Sequence, residues 1–208
     1  MMGKIGIIDY GMGNLHSVKN ACDYLGIENF IATEQETLEK ADGYILPGVG
    51  AFPDAMAALR KRALASFIQT EVKEKPLLGI CLGMQLLFEK GYEGKETAGL
   101  GLIGGEVIRL SAYTQDKQYK IPHMGWNKLE IRKAGNPLLQ GLDKEIFVYF
   151  VHSYKGVVAE RSNLVAAAEY GEEVAGIVSK GNVYGTQFHP EKSEETGLMM
   201  LKNFGALL

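Results

Sequence analysis

The stretch PLLGICLGMQ, residues 76–85, decides the fold prediction for this chain. Its apolar run up to residue 80 predicts a buried strand, and a helix is expected to begin near Met84. Gly79 and Gly83 flank Cys81 at two residues on either side, where a Cβ would collide with the neighbouring backbone. The segment therefore predicts a nucleophile elbow, a sharp strand-to-helix turn that projects the Cys81 side chain out of a sheet.

The first half of the chain alternates short apolar runs with amphipathic stretches. Strands are predicted at residues 4–9, 28–32, 43–46 and 77–80, and helices at residues 14–25 and 53–75. Strands separated by helices imply right-handed βαβ crossovers and a largely parallel sheet with helices on both faces. The fold class is therefore α/β.

The second half changes character, because strand-like segments follow one another with few helices between them. These segments are residues 105–110, 129–132, 146–151, 164–169, 175–179 and 183–188. The turn residues 180–182 predict a hairpin, and Ser193 begins a predicted C-terminal helix whose apolar face lies within residues 198–208. No linker or repeat supports a boundary near residue 100, so we expect one domain, 1–208, with a mixed, mostly parallel sheet and added antiparallel strands.

Composition excludes several classes of protein. The 208 residues include 22 Lys and Arg against 25 Asp and Glu, a formal net charge of −3, so neither nucleic acid nor an anionic membrane is an expected partner. The apolar runs fall short of the roughly 18 residues of a membrane span, and no secretory signal is recognisable. Two distant cysteines indicate no disulfide framework. We expect a soluble cytoplasmic protein.

Cofactor motifs are lacking as well. Residues 9–14, DYGMGN, do not supply the third glycine of a dinucleotide fingerprint. The chain has no G-x-x-x-x-G-K-[ST] phosphate loop and no H-E-x-x-H zinc motif. We therefore expect no cofactor and no metal.

A thiol nucleophile usually needs a base, and His189 is the best candidate among four histidines. It follows a predicted strand that Pro190 ends, and Glu191 can accept a hydrogen bond from its ring. Sites in α/β sheets form beyond the carboxyl ends of strands, where Cys81 and His189 are both expected. A Cys, His, Glu triad is the functional interpretation; the alternative is that Cys81, like Cys22 on the first helix, is a small core residue.

Two backbone segments could stabilise an oxyanion. The Leu82 amide follows the nucleophile directly, where charge would develop during attack on a carbonyl. The glycine-rich loop within residues 46–52, LPGVGAF, could offer a second amide. On its own, this loop is merely a connection that precedes a helix.

The segments GICLGMQ, residues 79–85, and TQFHPE, residues 186–191, closely resemble the class I (triad) glutamine amidotransferases. Segments at residues 9–14, 47–52, 122–127, 151–154 and 189–193 are similar to the glutaminase subunits of imidazole glycerol phosphate synthases. The resemblance runs from near residue 4 to the C-terminus. It implies a single amidotransferase domain with a flavodoxin-like fold.

The resemblance also implies residue roles. Cys81 would attack the carboxamide of glutamine, His189 would carry the proton to ammonia, Glu191 would orient His189, and a glutamyl thioester would be hydrolysed to glutamate. The oxyanion hole would use the amide of Leu82 and that of Val49 or Gly50. The residues expected to hold the α-amino and α-carboxylate groups of glutamine are Gln85, Glu93, His152, Ser153 and Tyr154. Alternatively, Glu93 is a charge in the polar loop at residues 90–96.

A partner follows from the same resemblance. Ammonia would pass to a (βα)₈-barrel cyclase subunit in a heterodimer that makes imidazole glycerol phosphate and aminoimidazole carboxamide ribonucleotide. The residues expected at the interface are Asn14, Trp126, Tyr149 and Lys192. One departure is Lys155, where an aromatic residue is expected. Two alternatives remain open: a triad amidotransferase that serves another synthase, such as that for anthranilate, guanylate or pyridoxal phosphate, and a non-catalytic α/β binding module.

Overall fold

A computed structural model describes residues 3–111, 113–114, 117–142 and 145–208. The strands are β1 (Ile5–Ile8), β2 (Asn29–Ala32), β3 (Gly43–Gly48), β4 (Leu77–Cys81), β5 (Phe88–Gly91), β6 (Thr97–Ala98), β7 (Ile103–Arg109), β8 (Tyr113–Thr114), β9 (Lys117–Gln118), β10 (His123–Ile131), β11 (Ile146–His152), β12 (Tyr154–Val158), β13 (Leu164–Glu169), β14 (Glu173–Lys180) and β15 (Val183–Thr186). The helices are α1 (Leu15–Tyr24), α2 (Gln35–Leu38), α3 (Phe52–Lys61), α4 (Leu64–Glu71), α5 (Leu82–Leu86) and α6 (Glu194–Gly205), with short 3₁₀ turns at Pro137–Leu139, Arg161–Asn163 and Pro190–Lys192.

A nine-stranded mixed sheet runs through the molecule in the order β11-β10-β13-β14-β15-β4-β3-β1-β2. The pairings from β15 to β2 are parallel, and those from β11 to β15 are antiparallel. The prediction of a mixed α/β sheet is confirmed. Parallel and antiparallel pairings are equal in number, however. The predicted majority of parallel pairings is found only among β15, β4, β3, β1 and β2, most of which come from the first half of the chain.

A second sheet, ordered β12-β7-β5-β6, packs beside the first. It was not predicted as a separate sheet, because β12 and β5 are short and carry no clear alternation. The chain passes from the large sheet to the small one at Ser153, between the end of β11 and the start of β12. Two apolar clusters form the core. Because β1, β3, β4 and β15 pair in parallel, their carboxyl ends lie at one edge of the sheet.

Several predicted boundaries differ from the structure. β3 continues through Pro47 to Gly48, which is possible because the pairing with β1 ends at Ile45, so the missing proline N–H costs no hydrogen bond on that side. The helix expected over residues 53–75 is two helices, α3 and α4, separated at Ala63, whose φ is +55°. No local signal marks this break, because alanine is a strong helix former.

The hairpin of β14 and β15 around residues 180–182 and the C-terminal helix α6 are confirmed. The last strand ends at Thr186 rather than at residue 188. The helix after Cys81 begins at Leu82 rather than near Met84, and it spans only five residues.

Candidate active site

Cys81 lies at the junction of β4 and α5, with φ 56° and ψ −112°, a backbone conformation that residues other than glycine rarely adopt. A Cβ on Gly79 would lie 2.7 Å from the carbonyl oxygen of Gly83, and a Cβ on Gly83 would overlap the carbonyl oxygen of Leu46. Both flanking positions therefore require glycine. The geometry is that of the predicted elbow, and its steric cause is confirmed.

His189 and Glu191 lie beside Cys81. His189 Nδ1 is 2.8 Å from Glu191 Oε1, and the two side chains are 4% and 1% exposed. Because the carboxylate accepts, His189 donates from Nδ1, which leaves Nε2 for the thiol of Cys81. Cys81 is among the groups that raise the pKa of His189, so the thiol and the ring interact directly. The structure thus brings together the three residues of the predicted triad.

The electrostatics of the site favour a protonated His189. Burial lowers the pKa of His189, but hydrogen bonds and charge from Cys81 and Glu191 outweigh this effect and raise the pKa to about 9. The imidazole therefore holds its proton at neutral pH. In that form it can stabilise negative charge on the Cys81 sulfur and supply a proton to a leaving group.

The thiol opens into a pocket of about 380 Å³. Twelve of the fifteen predicted site residues line it: Asn14, Val49, Gly50, Cys81, Leu82, Gln85, Glu93, His152, Ser153, Tyr154, His189 and Lys192. Pro122 and Val151 also line the pocket and were not predicted. Glu191 lies behind His189, and Trp126 and Tyr149 lie outside the pocket. A volume of this size suits a small polar metabolite.

The glycine-rich loop at Pro47–Gly50 forms one wall of the pocket next to the elbow. Val49 is 45% exposed, and Gly50 has a φ of +98°, a conformation that favours glycine. Leu82, the residue after the nucleophile, lies against the loop, since a Cβ on Gly48 would be 2.9 Å from Leu82 Cβ. The structure thus places both predicted oxyanion segments beside Cys81.

Gln85 and Glu93 are already engaged by the protein. Gln85 Nε2 donates to the Tyr154 carbonyl at 2.9 Å and to Gln187 Oε1 at 3.0 Å, so its Oε1 is the atom it can offer a ligand. Glu93 Oε2 accepts from the Phe52 amide at 2.7 Å, at the start of α3. Glu93 therefore caps a helix while lining the pocket, and it is not a free loop charge.

His152 belongs to a hydrogen-bonded series that sequence reasoning missed. Its Nδ1 is 2.8 Å from the Tyr154 carbonyl, its Nε2 is 3.0 Å from His123 Nδ1, and His123 Nε2 is 3.3 Å from Asn127 Nδ2. Burial lowers the pKa of His123 to about 4 and that of His152 to about 3, so both rings are neutral. Each ring then donates from Nδ1 and accepts at Nε2. The segment PHMGWN, residues 122–127, was the available signal.

Two buried residues hold the segments that carry the site. Lys155 Nζ pairs with Glu172 at 2.7 Å and donates to the Glu173 carbonyl at 2.9 Å, which fixes β12 against the start of β14. The unexpected lysine is thus a buried ion-pair partner. Ser193 Oγ donates to the His189 carbonyl at 2.7 Å and accepts from the Tyr149 amide at 3.0 Å, which fixes the triad loop.

The surface beside the pocket opening is partly apolar. Trp126 and Tyr149 are paired across β10 and β11, with ring centroids 6.1 Å apart and planes at 68°. Met124 is 60% exposed and Trp126 is 48% exposed. Asn14 and Lys192 lie in the pocket lining.

Within the described residues, no group of three or more His, Cys, Asp or Glu side chains is arranged to hold a metal ion. The helices in that part of the chain are also too short or too polar to cross a membrane.

Comparison with solved structures supports the fold. A putative GMP synthase subunit from Thermoplasma acidophilum aligns with a TM-score of 0.74 at 22% identity, covering 100% of this chain and 94% of that one. PurLQS from Thermotoga maritima aligns with a TM-score of 0.75 at 20% identity, covering 98% of each chain. At these identities, the likeness concerns the fold alone.

Sequence relatives are much closer. Imidazole glycerol phosphate synthase subunit HisH of Shouchella clausii is 54% identical over 206 residues, 98% of each chain. The protein of the same name from Halalkalibacterium halodurans is 52% identical over 206 residues, 98% of this chain and 96% of that one. The family model for class-I glutamine amidotransferases matches residues 6–207. The chain therefore belongs to the class-I glutamine amidotransferases and, within them, to the family of imidazole glycerol phosphate synthase subunit HisH.

Proposed function

We propose that this enzyme is the glutaminase subunit of an imidazole glycerol phosphate synthase, with one amidotransferase domain spanning residues 1–208. The observation that carries the proposal is Cys81 on a strained elbow, in one pocket with a His189 that Glu191 holds at 2.8 Å. A thiol in this setting serves nucleophilic catalysis. Identities above 50% to two HisH subunits support the specific synthase.

The first half-reaction releases ammonia. The Cys81 sulfur attacks the side-chain amide carbon of glutamine, and the carbonyl oxygen takes up negative charge. The Leu82 amide and the amide of Val49 or Gly50 stabilise this oxyanion. His189 gives its proton to the amide nitrogen, the C–N bond breaks, and ammonia leaves a glutamyl thioester on Cys81.

The second half-reaction restores the enzyme. Neutral His189 now accepts a proton from water, whose oxygen attacks the thioester carbonyl. The same amides stabilise the second oxyanion, the C–S bond breaks, and glutamate leaves. Glu191 takes no proton in either step; it keeps His189 in the tautomer that directs Nε2 to the reacting atoms.

The pocket lining supports glutamine as the substrate. Glu93 offers a carboxylate to the α-ammonium group of glutamine. Gln85 offers its Oε1 as a hydrogen-bond acceptor. The segment of His152, Ser153 and Tyr154, placed where the two sheets meet, binds the α-carboxylate. The neutral pair of His152 and His123 keeps this segment free of positive charge, so backbone and hydroxyl donors hold the carboxylate.

The partner in this proposal is a (βα)₈-barrel cyclase that receives the ammonia within a heterodimer. Exposed Trp126 and Met124 beside the pocket support a docking face there, to which Tyr149, Asn14 and Lys192 contribute. We place the complex in the cytoplasm, which is consistent with two free cysteines. The pathway is histidine biosynthesis.

Two alternatives make different predictions. A triad amidotransferase serving another synthase would keep Cys81-dependent glutaminase activity but would not respond to the cyclase. The structural similarity to GMP synthase and PurLQS chains does not favour this alternative, because it lies at 20–22% identity. A non-catalytic binding module would show no glutaminase activity at all.

Glutamate release tests the proposal. The chain is assayed alone, with the cyclase, and with the cyclase plus its nucleotide ligand. We expect low activity from the chain alone, because the second oxyanion donor lies in a glycine-rich loop that a partner can reorient. Activity should rise in the complete complex and disappear in Cys81→Ala.

Cys22→Ala is the matched control. Cys22 is fully buried, and burial raises its pKa to about 12, so it should contribute neither activity nor alkylation. Mass spectrometry after iodoacetamide treatment should find Cys81 modified and Cys22 unmodified. Rapid turnover by the isolated chain would contradict the dependence on a partner, and full activity in Cys81→Ala would contradict the mechanism.

A further inference from the structure

Tyr10 carries a buried hydroxyl group for which the described residues provide no hydrogen-bond partner. The residue follows β1 and is 1% exposed. Burial and the nearby charge of Cys81 both raise the pKa of Tyr10, so the hydroxyl keeps its proton and remains a donor. Buried donors in native proteins are nearly always paired, so an unpaired one calls for an explanation.

This hydroxyl lies against the glycine-rich loop. A Cβ built on Gly48 would lie 2.7 Å from Tyr10 Oη, and a Cβ on Gly50 would lie 2.8 Å from Met12 Cε. A Cβ on Gly13 would lie 3.3 Å from the Pro47 ring. Residues 10–13 therefore form the floor on which Pro47–Gly50 rests. Val49 and Gly50 line the pocket, whereas Tyr10 does not.

The geometry of a trans peptide links the two sides of this loop. The C=O and N–H of one peptide point in opposite directions, so a peptide that turns its C=O toward the floor turns its N–H toward the pocket. Glycines on both sides of Val49 make such a rotation sterically possible. An acceptor for Tyr10 and a donor for the oxyanion would then arise in one movement.

We propose that Tyr10 is a positioning residue that stabilises the oxyanion-binding form of the Pro47–Gly50 loop by donating a hydrogen bond to a carbonyl of that loop. The inference rests on the proposed glutaminase function. With the loop at rest, the hydroxyl has no partner in the part of the chain that the structure describes. When a peptide of the loop rotates, the new hydrogen bond from Tyr10 offsets part of the free energy that the rotation costs.

Tyr10→Phe tests this role, because it keeps the ring and removes only the hydroxyl. In the complete complex with cyclase and nucleotide, we expect kcat for glutamate release to fall roughly five- to tenfold, the factor that corresponds to one neutral hydrogen bond. The KM for glutamine should not change, because Tyr10 does not line the pocket. The melting temperature of the free chain should rise or stay level, because the substitution removes an unpaired buried group.

Tyr44→Phe is the matched control. Tyr44 is also fully buried, but its hydroxyl already donates to Glu71 at 2.7 Å, and it does not line the pocket. Its loss should lower the melting temperature and leave kcat unchanged. A lowered melting temperature in Tyr44→Phe but not in Tyr10→Phe distinguishes a paired hydroxyl from an unpaired one.

Two results would overturn the inference. An unchanged kcat in Tyr10→Phe would show that the hydroxyl does not support the active loop, and a lowered melting temperature would show that it is already paired at rest. If the wild-type complex itself released no glutamate, the proposed function would fail and this inference with it. A wild-type complex that is active and matched by Tyr10→Phe would refute the role of Tyr10 alone.

Discussion

Replacing Glu191 by Gln should flatten the pH dependence of stability in a defined range. The pKa of His189 is about 9 in the folded chain against an ordinary value of 6.5. The folded state therefore holds a proton that the unfolded state has lost between these values, so stability decreases as pH rises. The stabilisation is complete below pH 6.5 and is lost as pH passes through 9. A difference of this size corresponds to about 3 kcal/mol.

The substitution changes charge with little change of shape. The introduced glutamine side chain would still offer a carbonyl oxygen to His189 Nδ1. Its NH₂ group would take the place of Glu191 Oε2, which accepts no hydrogen bond from any described residue. Because Cys81 and Glu191 both raise the pKa of His189, removing one charge should remove about half of the effect. We expect the loss of stability between pH 6.5 and 9 to be smaller by about 1–2 kcal/mol in Glu191→Gln.

Urea unfolding, followed by circular dichroism at pH 6.5 and at pH 9, measures this difference. Other titrating groups contribute equally to both proteins, so they cancel when the two pH dependences are subtracted. Glu195→Gln, a substitution of an exposed residue on α6, is the control and should retain the wild-type decrease. An identical decrease in Glu191→Gln and wild type would refute the assignment of the His189 proton to this pair.

Three further predictions concern the elbow, the ion pair and the docking face. Gly83→Ala should prevent native folding, because the added Cβ would overlap the carbonyl oxygen of Leu46; a native circular dichroism spectrum and an unchanged melting temperature would contradict this. Lys155→Met should lower the free energy of unfolding by about 2 kcal/mol, and adding Glu172→Gln should recover part of that loss, because a lone buried charge costs more than none. Strictly additive losses in urea unfolding would contradict the coupling. Trp126→Ala should weaken cyclase binding by calorimetry at least about tenfold with no change in melting temperature, since exposed aromatic residues commonly dominate interfaces.

Local patterns in the sequence were sufficient for the elbow and for most strands. Gly79 and Gly83 indicate the turn because the steric constraint on them is local in the chain, and the structure confirms its cause. The β14–β15 hairpin was predictable for the same reason: its turn residues and its two strands are contiguous. The His189–Glu191 pair lies within three residues, so its contact could also be anticipated.

Contacts between distant segments could not be anticipated in this way. The His123–His152 pair joins residues 29 apart, and the Gln85–Gln187 hydrogen bond joins residues 102 apart. The local sequence around either residue of such a pair does not indicate which residue it contacts. The division of residues 53–75 into α3 and α4 likewise lacks a glycine or proline signal, so packing imposes it.

The sequence alone determined the chemistry available to this protein: a thiol on a glycine-flanked turn, a histidine with its carboxylate, and a glycine-rich loop. These features depend on residue type and short spacing, which the chain order preserves. Only the tertiary structure decided how they meet, because the order of β15, β4, β3 and β1 brings four separate strand ends to one edge. It also decided what lies beneath the loop. The unpaired hydroxyl of Tyr10, which follows β1, lies next to the loop at the end of β3 only because β1 and β3 are neighbours in the sheet.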